Sequence, residues 1–175
     1  MSTAFKDMTG APEFLAHALQ LEQEAAVRFD ELADMLEVHN NHKGVVELFR
    51  KMAHFSRLHL AEAKERAVGV DVPALKPWEF KWPGDEAPES GEITDAHYLM
   101  TPHHALKLAL ASETQGFDFY QGLADNSAHQ DVRAMAREFA DEEAEHVATL
   151  KEWLDRYPEP DSTWDEDMDP PVSVD

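Results

Sequence analysis

The segment FADEEAEHV, at residues 139–147, carries a glutamate and a histidine at a spacing that suits metal ligands on a helix. Glu143 lies three residues before His146, and side chains at this spacing share one helix face. An earlier segment, MAHFSRLHL, aligns with it and keeps the histidine as His59, but it has Ser56 where the glutamate stands. The two segments therefore differ in the metal chemistry that they offer.

Two further glutamates, Glu22 and Glu113, stand where helical periodicity requires apolar residues. Burying a carboxylate without a partner is costly, and these stripes hold no Lys or Arg. A divalent metal ion would satisfy carboxylates and imidazoles from facing helices together. A single such glutamate is more often a boundary residue with its head in water. The coincidence across four segments favours a metal site, and a metal-free bundle with polar core residues is the alternative.

The composition restricts what such a site can contain. The chain of 175 residues has 36 acidic and 15 basic side chains, a formal net charge of −21, so it should repel nucleic acid and anionic membrane surfaces. It has no cysteine, which excludes disulfides, thiolate metal sites and a rubredoxin-type iron centre. The N-terminal residues show no secretory pattern and no apolar run is long enough to span a membrane, so we expect a cytoplasmic protein.

The helices that must position these residues are visible as apolar spacings of three and four. Thr9 is predicted to cap the first helix, and Thr101 with Pro102 to open the third. The segment NNHKG, at residues 40–44, separates the first two helices. The predicted stripes include Leu15, Glu22, Phe29 and Leu36; Val45, Met52, Ser56 and His59; Leu106, Glu113, Tyr120 and Leu123; and Val132, Phe139, Glu143, His146 and Leu150.

The chain reads as a duplicated helical hairpin. A shift of 91 residues aligns the first helix with the third, and a shift of 87 aligns the second with the fourth. A segment rich in Pro, Gly and acidic residues, about 69–101, lies between the two hairpins. Short loops and one long connection predict an all-α, ferritin-like four-helix bundle in residues 1–157. Residues 158–175 form an acidic tail.

The large apolar residues outside the helices have two interpretations. Trp78 and Trp82 are predicted to pack over the chain's own helices as the crossover runs along them. Trp164 and the PPVSV segment of the tail are predicted to contact the bundle or a neighbouring chain, so the tail would serve association rather than the core.

The segments LEQEAAVRF, ASETQGFDFY and EEAEH resemble the rubrerythrin-like branch of the ferritin-like superfamily. That family has in each half a glutamate followed seven residues later by an aromatic residue, and then a Glu-x-x-His motif. Glu22 and Glu113 fit the glutamate of the first element, and Phe29 and Tyr120 fit its aromatic position. Glu143 with His146 fits the second, whereas the first half keeps only the histidine of that motif.

The resemblance implies a di-iron carboxylate centre that reduces peroxide or oxidises ferrous iron, with oxygen as a further possible substrate. The implied ligands are Glu22, His59, Glu113, Glu143 and His146, with Tyr120 beside them. Ser56 and Phe29 depart from the pattern, and both lie in the first half. Glu62 is a weaker candidate for the missing ligand, because charges at its spacing from His59 are usually solvated.

Several choices stay open at the level of sequence. Iron is the implied metal, but manganese or zinc would suit the same donors, and a reductive reaction would need an external electron donor. The alternatives to an oxidoreductase are a non-catalytic metal-binding or structural bundle and, less favoured, a scaffold that docks through its tail. His54, His103 and His104 are predicted to lie outside the site. Bundles of this kind commonly pair, so a homodimer is expected.

Overall fold

The computed structural model describes residues 6–39, 43–84, 88 and 101–160. Its four long helices are α1 (Ala11–His39), α2 (Lys43–Arg66), α3 (Pro102–Asn126) and α4 (Gln130–Leu154), and a short 3-10 turn spans Pro77–Glu79. The described residues contain no β-strand. The all-α prediction of a ferritin-like four-helix bundle is confirmed, with α1 and α2 packed as one hairpin and α3 and α4 as the other.

The helix starts agree with the sequence at α3 but not at α1. Thr101 is the N-cap of α3 and Pro102 its first residue, where the missing proline N–H costs nothing. At α1 the carbonyl of Gly10 accepts the first helical hydrogen bond, from Phe14 at 3.1 Å. Thr9 therefore lies one residue too early to be the predicted cap, and its hydroxyl instead donates to Glu13 at 2.8 Å.

The buried core consists of two apolar clusters, one toward each end of the bundle. Phe14, Tyr120 and Phe139 belong to one cluster, and Phe49 and Leu106 belong to the other. On every helix the stretch between the two clusters carries the polar stripe residues. Ordinary apolar packing thus fixes the helices on both sides of a polar layer.

The crossover covers one side of the first cluster. After α2 the chain turns at Gly69, whose φ of 78° favours glycine. Trp82 then packs with its ring 4.8 Å from that of His17 and 5.3 Å from that of Phe119. Trp78 is 77% exposed, so the prediction that both tryptophans cover the helices is right for Trp82 and wrong for Trp78.

Two stretches of the chain that the sequence analysis discussed fall outside the described residues. The tail segment with Trp164 lies beyond the described residues, as does most of the crossover after Gly84. Within the described residues, no helix is both long and apolar enough to cross a membrane.

Candidate metal centre

Each of the four helices contributes to the polar layer between the apolar clusters. Glu22 comes from α1, His59 from α2, Glu113 from α3, and Glu143 with His146 from α4. The three glutamates are 1–2% exposed. The helical periodicity that placed these residues on the core stripes therefore matches their burial.

The α3–α4 hairpin holds its three candidate ligands in direct contact. Nδ1 of His146 lies 2.9 Å from Oε2 of Glu113, which is hydrogen-bonding distance, and 3.6 Å from Oε2 of Glu143. The latter pair is the Glu-x-x-His motif on one helix face. Two carboxylates of this hairpin thus approach the same ring nitrogen of His146.

The α1–α2 hairpin approaches the same region more loosely. Nδ1 of His59 lies 3.7 Å from Oε2 of Glu22, and the ring of His59 stacks on that of His146 with centroids 5.2 Å apart. His59, Glu143 and His146 each offer one ligand atom, and these three atoms lie within 4.8 Å of one another. These three residues could hold a metal ion, with Glu113 and Glu22 at its borders.

The unpaired atoms of this cluster fit a cation. Oε2 of Glu143 and Nδ1 of His59 are buried without a hydrogen-bond partner among the described residues. Nor does any lysine or arginine in that part of the chain form an ion pair with Glu22, Glu113 or Glu143. A set of carboxylate oxygens and imidazole nitrogens suits a divalent ion such as iron, manganese or zinc.

The metal-free site balances its charge with protons. Burial raises the pKa of Glu113 to about 7, and the charge of Glu22 adds to this effect. Burial and the neighbouring Glu113 raise the pKa of Glu143 well above its usual range. Burial opposes the charged form of His59, but Glu22, Glu142 and Glu143 together outweigh it and raise its pKa to about 9. Protons and a cation therefore compete for the same atoms.

Of the two residues that depart from the repeat, Ser56 lies in the polar layer and Phe29 lies in the apolar cluster that contains Phe49. Ser56 is buried, and its hydroxyl donates to the carbonyl of Met52 at 3.3 Å, so it is a satisfied core residue. The hydroxyl of Tyr120 donates to Oε1 of Glu22 at 3.3 Å. Phe29, its counterpart, has no polar atom to offer and packs on Phe49.

The structure separates Glu62 and three histidines from the cluster. Glu62 pairs with Arg66 at 2.5 Å and is not in the metal-binding group. His54 is exposed. Nδ1 of His103 donates to the carbonyl of Tyr157 at 2.7 Å, and His104 contacts the hydroxyl of Thr101 at 2.8 Å.

Two residues near the site did not emerge from the sequence. Oε2 of Glu142 lies 3.4 Å from Nε2 of His59, and the ring of Phe55 stacks on His146 at 5.8 Å. Phe55 lay on a predicted stripe without a role, and Glu142 is one of several glutamates in EEAEH. Only the repeat, which pairs position 55 with position 142, could have singled them out.

A four-helix bundle with a buried Glu/His cluster between two hairpins defines the ferritin-like class of protein. The family model for Rubrerythrin matches residues 104–169. The chain is also similar to a solved crystal structure, that of an uncharacterized conserved protein from Magnetospirillum magnetotacticum MS-1. The two sequences are 45% identical, the TM-score is 0.71, and the match covers 86% of this chain and 97% of the other. Comparison with curated proteins gives no match. Together these matches show that the chain belongs to the rubrerythrin-like branch of the ferritin-like superfamily.

Proposed function

We propose that the protein is a rubrerythrin-type non-haem iron protein and an oxidoreductase that reduces peroxide or oxidises ferrous iron. The observation that carries this proposal is the buried cluster of His59, Glu143 and His146, bordered by Glu22 and Glu113, with two of its polar atoms unpaired. Family membership supports iron as the ion. Iron bound there would supply the electron transfer that side chains alone lack.

The protein's own residues have separable tasks in this proposal. Glu113, Glu143 and His146 would hold one ion from the α3–α4 hairpin. Glu22 and His59 would hold a second ion more loosely. The hydroxyl of Tyr120 fixes the orientation of Glu22 through its hydrogen bond. The two apolar clusters exclude water from both ends of the layer.

Small substrates would approach from the α2–α4 side. The side chain of His59 is 13% exposed and that of Glu142 is 34% exposed, whereas Glu22 is 1% exposed. Peroxide, oxygen or ferrous iron is small enough to reach such an edge. A reductive cycle needs an external electron donor, because the chain has no cysteine for a rubredoxin-type centre.

We also propose that the protein is cytoplasmic and forms a homodimer.

The test begins with metal content. Protein produced in iron-supplemented cells and purified without chelator should contain iron, and the anaerobically reduced form should consume hydrogen peroxide faster than metal-free protein does. A Glu143→Ala variant should lose both properties, whereas Glu145→Ala, which changes an exposed glutamate of the same helix, should keep them. Wild-type protein that takes up no divalent metal would refute the proposal.

A second candidate function is a metal-binding bundle without catalysis. Ser56 favours it, because a neutral hydroxyl bonded to the backbone replaces a carboxylate ligand. One ion per chain with no peroxide consumption above that of free ferrous iron would support this candidate. Two ions per chain and turnover would support the oxidoreductase.

A further inference from the structure

His59 has a carboxylate near each of its two ring nitrogens. Nδ1 faces Glu22 at 3.7 Å and has no hydrogen-bond partner among the described residues. Nε2 faces Oε2 of Glu142, on the neighbouring helix α4, at 3.4 Å. The buried nitrogen thus faces Glu22, at the border of the candidate metal site, and the outer nitrogen faces a half-buried glutamate.

This arrangement matches what a metal-binding histidine requires. An imidazole binds a metal through a nitrogen without a proton, so a metal at Nδ1 leaves the ring proton on Nε2. A carboxylate that accepts this proton fixes the tautomer and the ring orientation and makes the other nitrogen a better ligand. At 3.4 Å the contact between Nε2 and Glu142 is slightly longer than an ordinary N–H···O bond, and a small side-chain rotation would close it.

We propose that Glu142 is the positioning residue of His59, and that α4 thereby supports the half of the site in which α2 carries Ser56 instead of a ligand carboxylate. This inference rests on the proposed metal site and concerns the half of it nearer α1 and α2. Glu142 acts through the outer nitrogen of His59 rather than as a ligand. The positive side chain in this region, Arg66, pairs with Glu62 and Glu138, so it does not draw Glu142 into an ion pair of its own.

The internal repeat shows that this contact belongs to one half only. The shift of 87 residues that aligns His59 with His146 also aligns Phe55 with Glu142. Phe55 stacks on His146 with centroids 5.8 Å apart, in the place where Glu142 meets His59. The half without the ligand glutamate therefore has the outer carboxylate, and the half with the ligand glutamate has an aromatic ring.

The test measures binding of Zn²⁺ to metal-free, full-length protein and its variants. The ion that depends on His59 is identified by its loss in His59→Ala. Glu142→Ala should weaken that ion about 10- to 100-fold, the usual range for such outer partners, and should leave the other ion unchanged. Glu142→Gln keeps an acceptor oxygen and should have a smaller effect, and Glu145→Ala is the matched control on the same helix.

Nuclear magnetic resonance of the Zn²⁺-loaded protein supplies a readout that depends on the proton itself. With ¹⁵N-labelled histidine, we expect a protected Nε2–H proton on His59 in the wild type and in Glu142→Gln, and its loss in Glu142→Ala. Circular dichroism should show the same helical content in all variants. A merely structural role for Glu142 would not change the protection of this one proton.

Three results would overturn the inference, and they have different meanings. Equal Zn²⁺ affinities in wild type and Glu142→Ala would show that His59 needs no partner. If His59→Ala leaves residual Zn²⁺ binding at this position and adding Glu142→Ala weakens it further, Glu142 would be a direct ligand. Wild-type protein that binds no Zn²⁺ and no iron would remove the metal site itself, and with it the proposed function.

Discussion

The two hairpins share a fold but not a ligand set. At aligned positions, α2 carries Phe55 and Ser56 where α4 carries Glu142 and Glu143. Both hairpins nevertheless keep buried apolar residues on either side of the polar layer. Apolar packing therefore preserves the bundle independently of the metal ligands, because it depends on the stripe rather than on the residues that interrupt it.

The family-model match and the structural match differ in extent. The Rubrerythrin family model matches residues 104–169, which include α4 and α3 from residue 104 onward but not α1 or α2, whereas the solved structure covers 86% of the chain. The hairpin within this match has the complete Glu113, Glu143 and His146 set. We infer that the α3–α4 hairpin determines metal affinity and that the α1–α2 hairpin modulates it.

The largest effect should follow from removing a ligand of the α3–α4 hairpin. Glu143→Ala deletes the carboxylate that is grouped with both histidines in the candidate site and should reduce iron affinity by more than the roughly 100-fold seen for outer partners. Anaerobic titration with ferrous iron measures this loss. Glu22→Ala removes the candidate ligand carboxylate of the other hairpin and should reduce iron affinity less. Equal losses of iron affinity in the two variants would contradict the inference that the α3–α4 hairpin determines metal affinity.

Restoring the missing carboxylate should reduce the difference between the hairpins. Ser56→Glu would place a carboxylate one turn before His59 on the same helix face and should tighten binding of the second ion about tenfold, or about 1.4 kcal/mol. Ferrous-iron titration followed by peroxide consumption tests this.

Ser56→Ala is the control, since it removes only one hydrogen bond, to Met52, worth about 1 kcal/mol of stability. Before metal is added, Ser56→Glu should also lower the melting temperature, because it buries another carboxyl. Two equally tight ions in the unmodified protein would show that nothing is missing at position 56.

A third difference between the hairpins concerns pH. His17 of α1 aligns with Leu108 of α3, and it accepts a hydrogen bond at Nε2 from the backbone N–H of Lys81 at 2.8 Å. Burial lowers the pKa of His17 below its usual 6.5. The Glu13 carbonyl, which accepts a hydrogen bond from Nδ1, opposes this decrease, and the positive charge of Lys81 adds to the decrease.

The unfolded chain therefore binds more protons than the folded protein at this position. The contribution of neutral His17 to the free energy of unfolding is thus fully present above pH 6.5 and is lost as the pH falls. The slope is at most about 1.4 kcal/mol per pH unit for one proton. Urea unfolding at pH 7.5 and pH 5.5 should show a smaller loss in His17→Gln than in wild type. His54→Gln, at an exposed position, should behave as wild type, and identical losses in all three would contradict this role.

The smallest effect should come from the aromatic pair of the repeat. Tyr120→Phe removes the hydrogen bond to Glu22 and should weaken the ion of the α1–α2 hairpin severalfold, in line with about 1 kcal/mol for one such bond. Phe29→Tyr introduces a hydroxyl at the corresponding position of α1 and should tighten the other ion by a similar factor. Calorimetric titration of both variants tests the pair, and an unchanged Tyr120→Phe would show that Glu22 needs no support.

Sequence patterns alone were enough to predict the helices, their core stripes and the candidate ligands Glu22, His59, Glu113, Glu143 and His146. These features depend on the 3.6-residue period of one helix at a time, and local sequence specifies that period. The duplication added the pairing of the halves and made Ser56 and Phe29 visible as departures. The prediction of Thr9 as a cap was wrong by one residue, because the choice between neighbouring caps depends on small local energies.

The contacts between side chains of different helices became known from the folded structure. It brought Glu142 to His59 and Phe55 to His146, and it packed Trp82 on His17 and Phe119 while Trp78 stayed exposed. Such contacts join residues far apart in the chain, and their partners are set by the rotation and spacing of packed helices. No local pattern encodes those two quantities, so the sequence names the candidate ligands and the packed helices determine their partners.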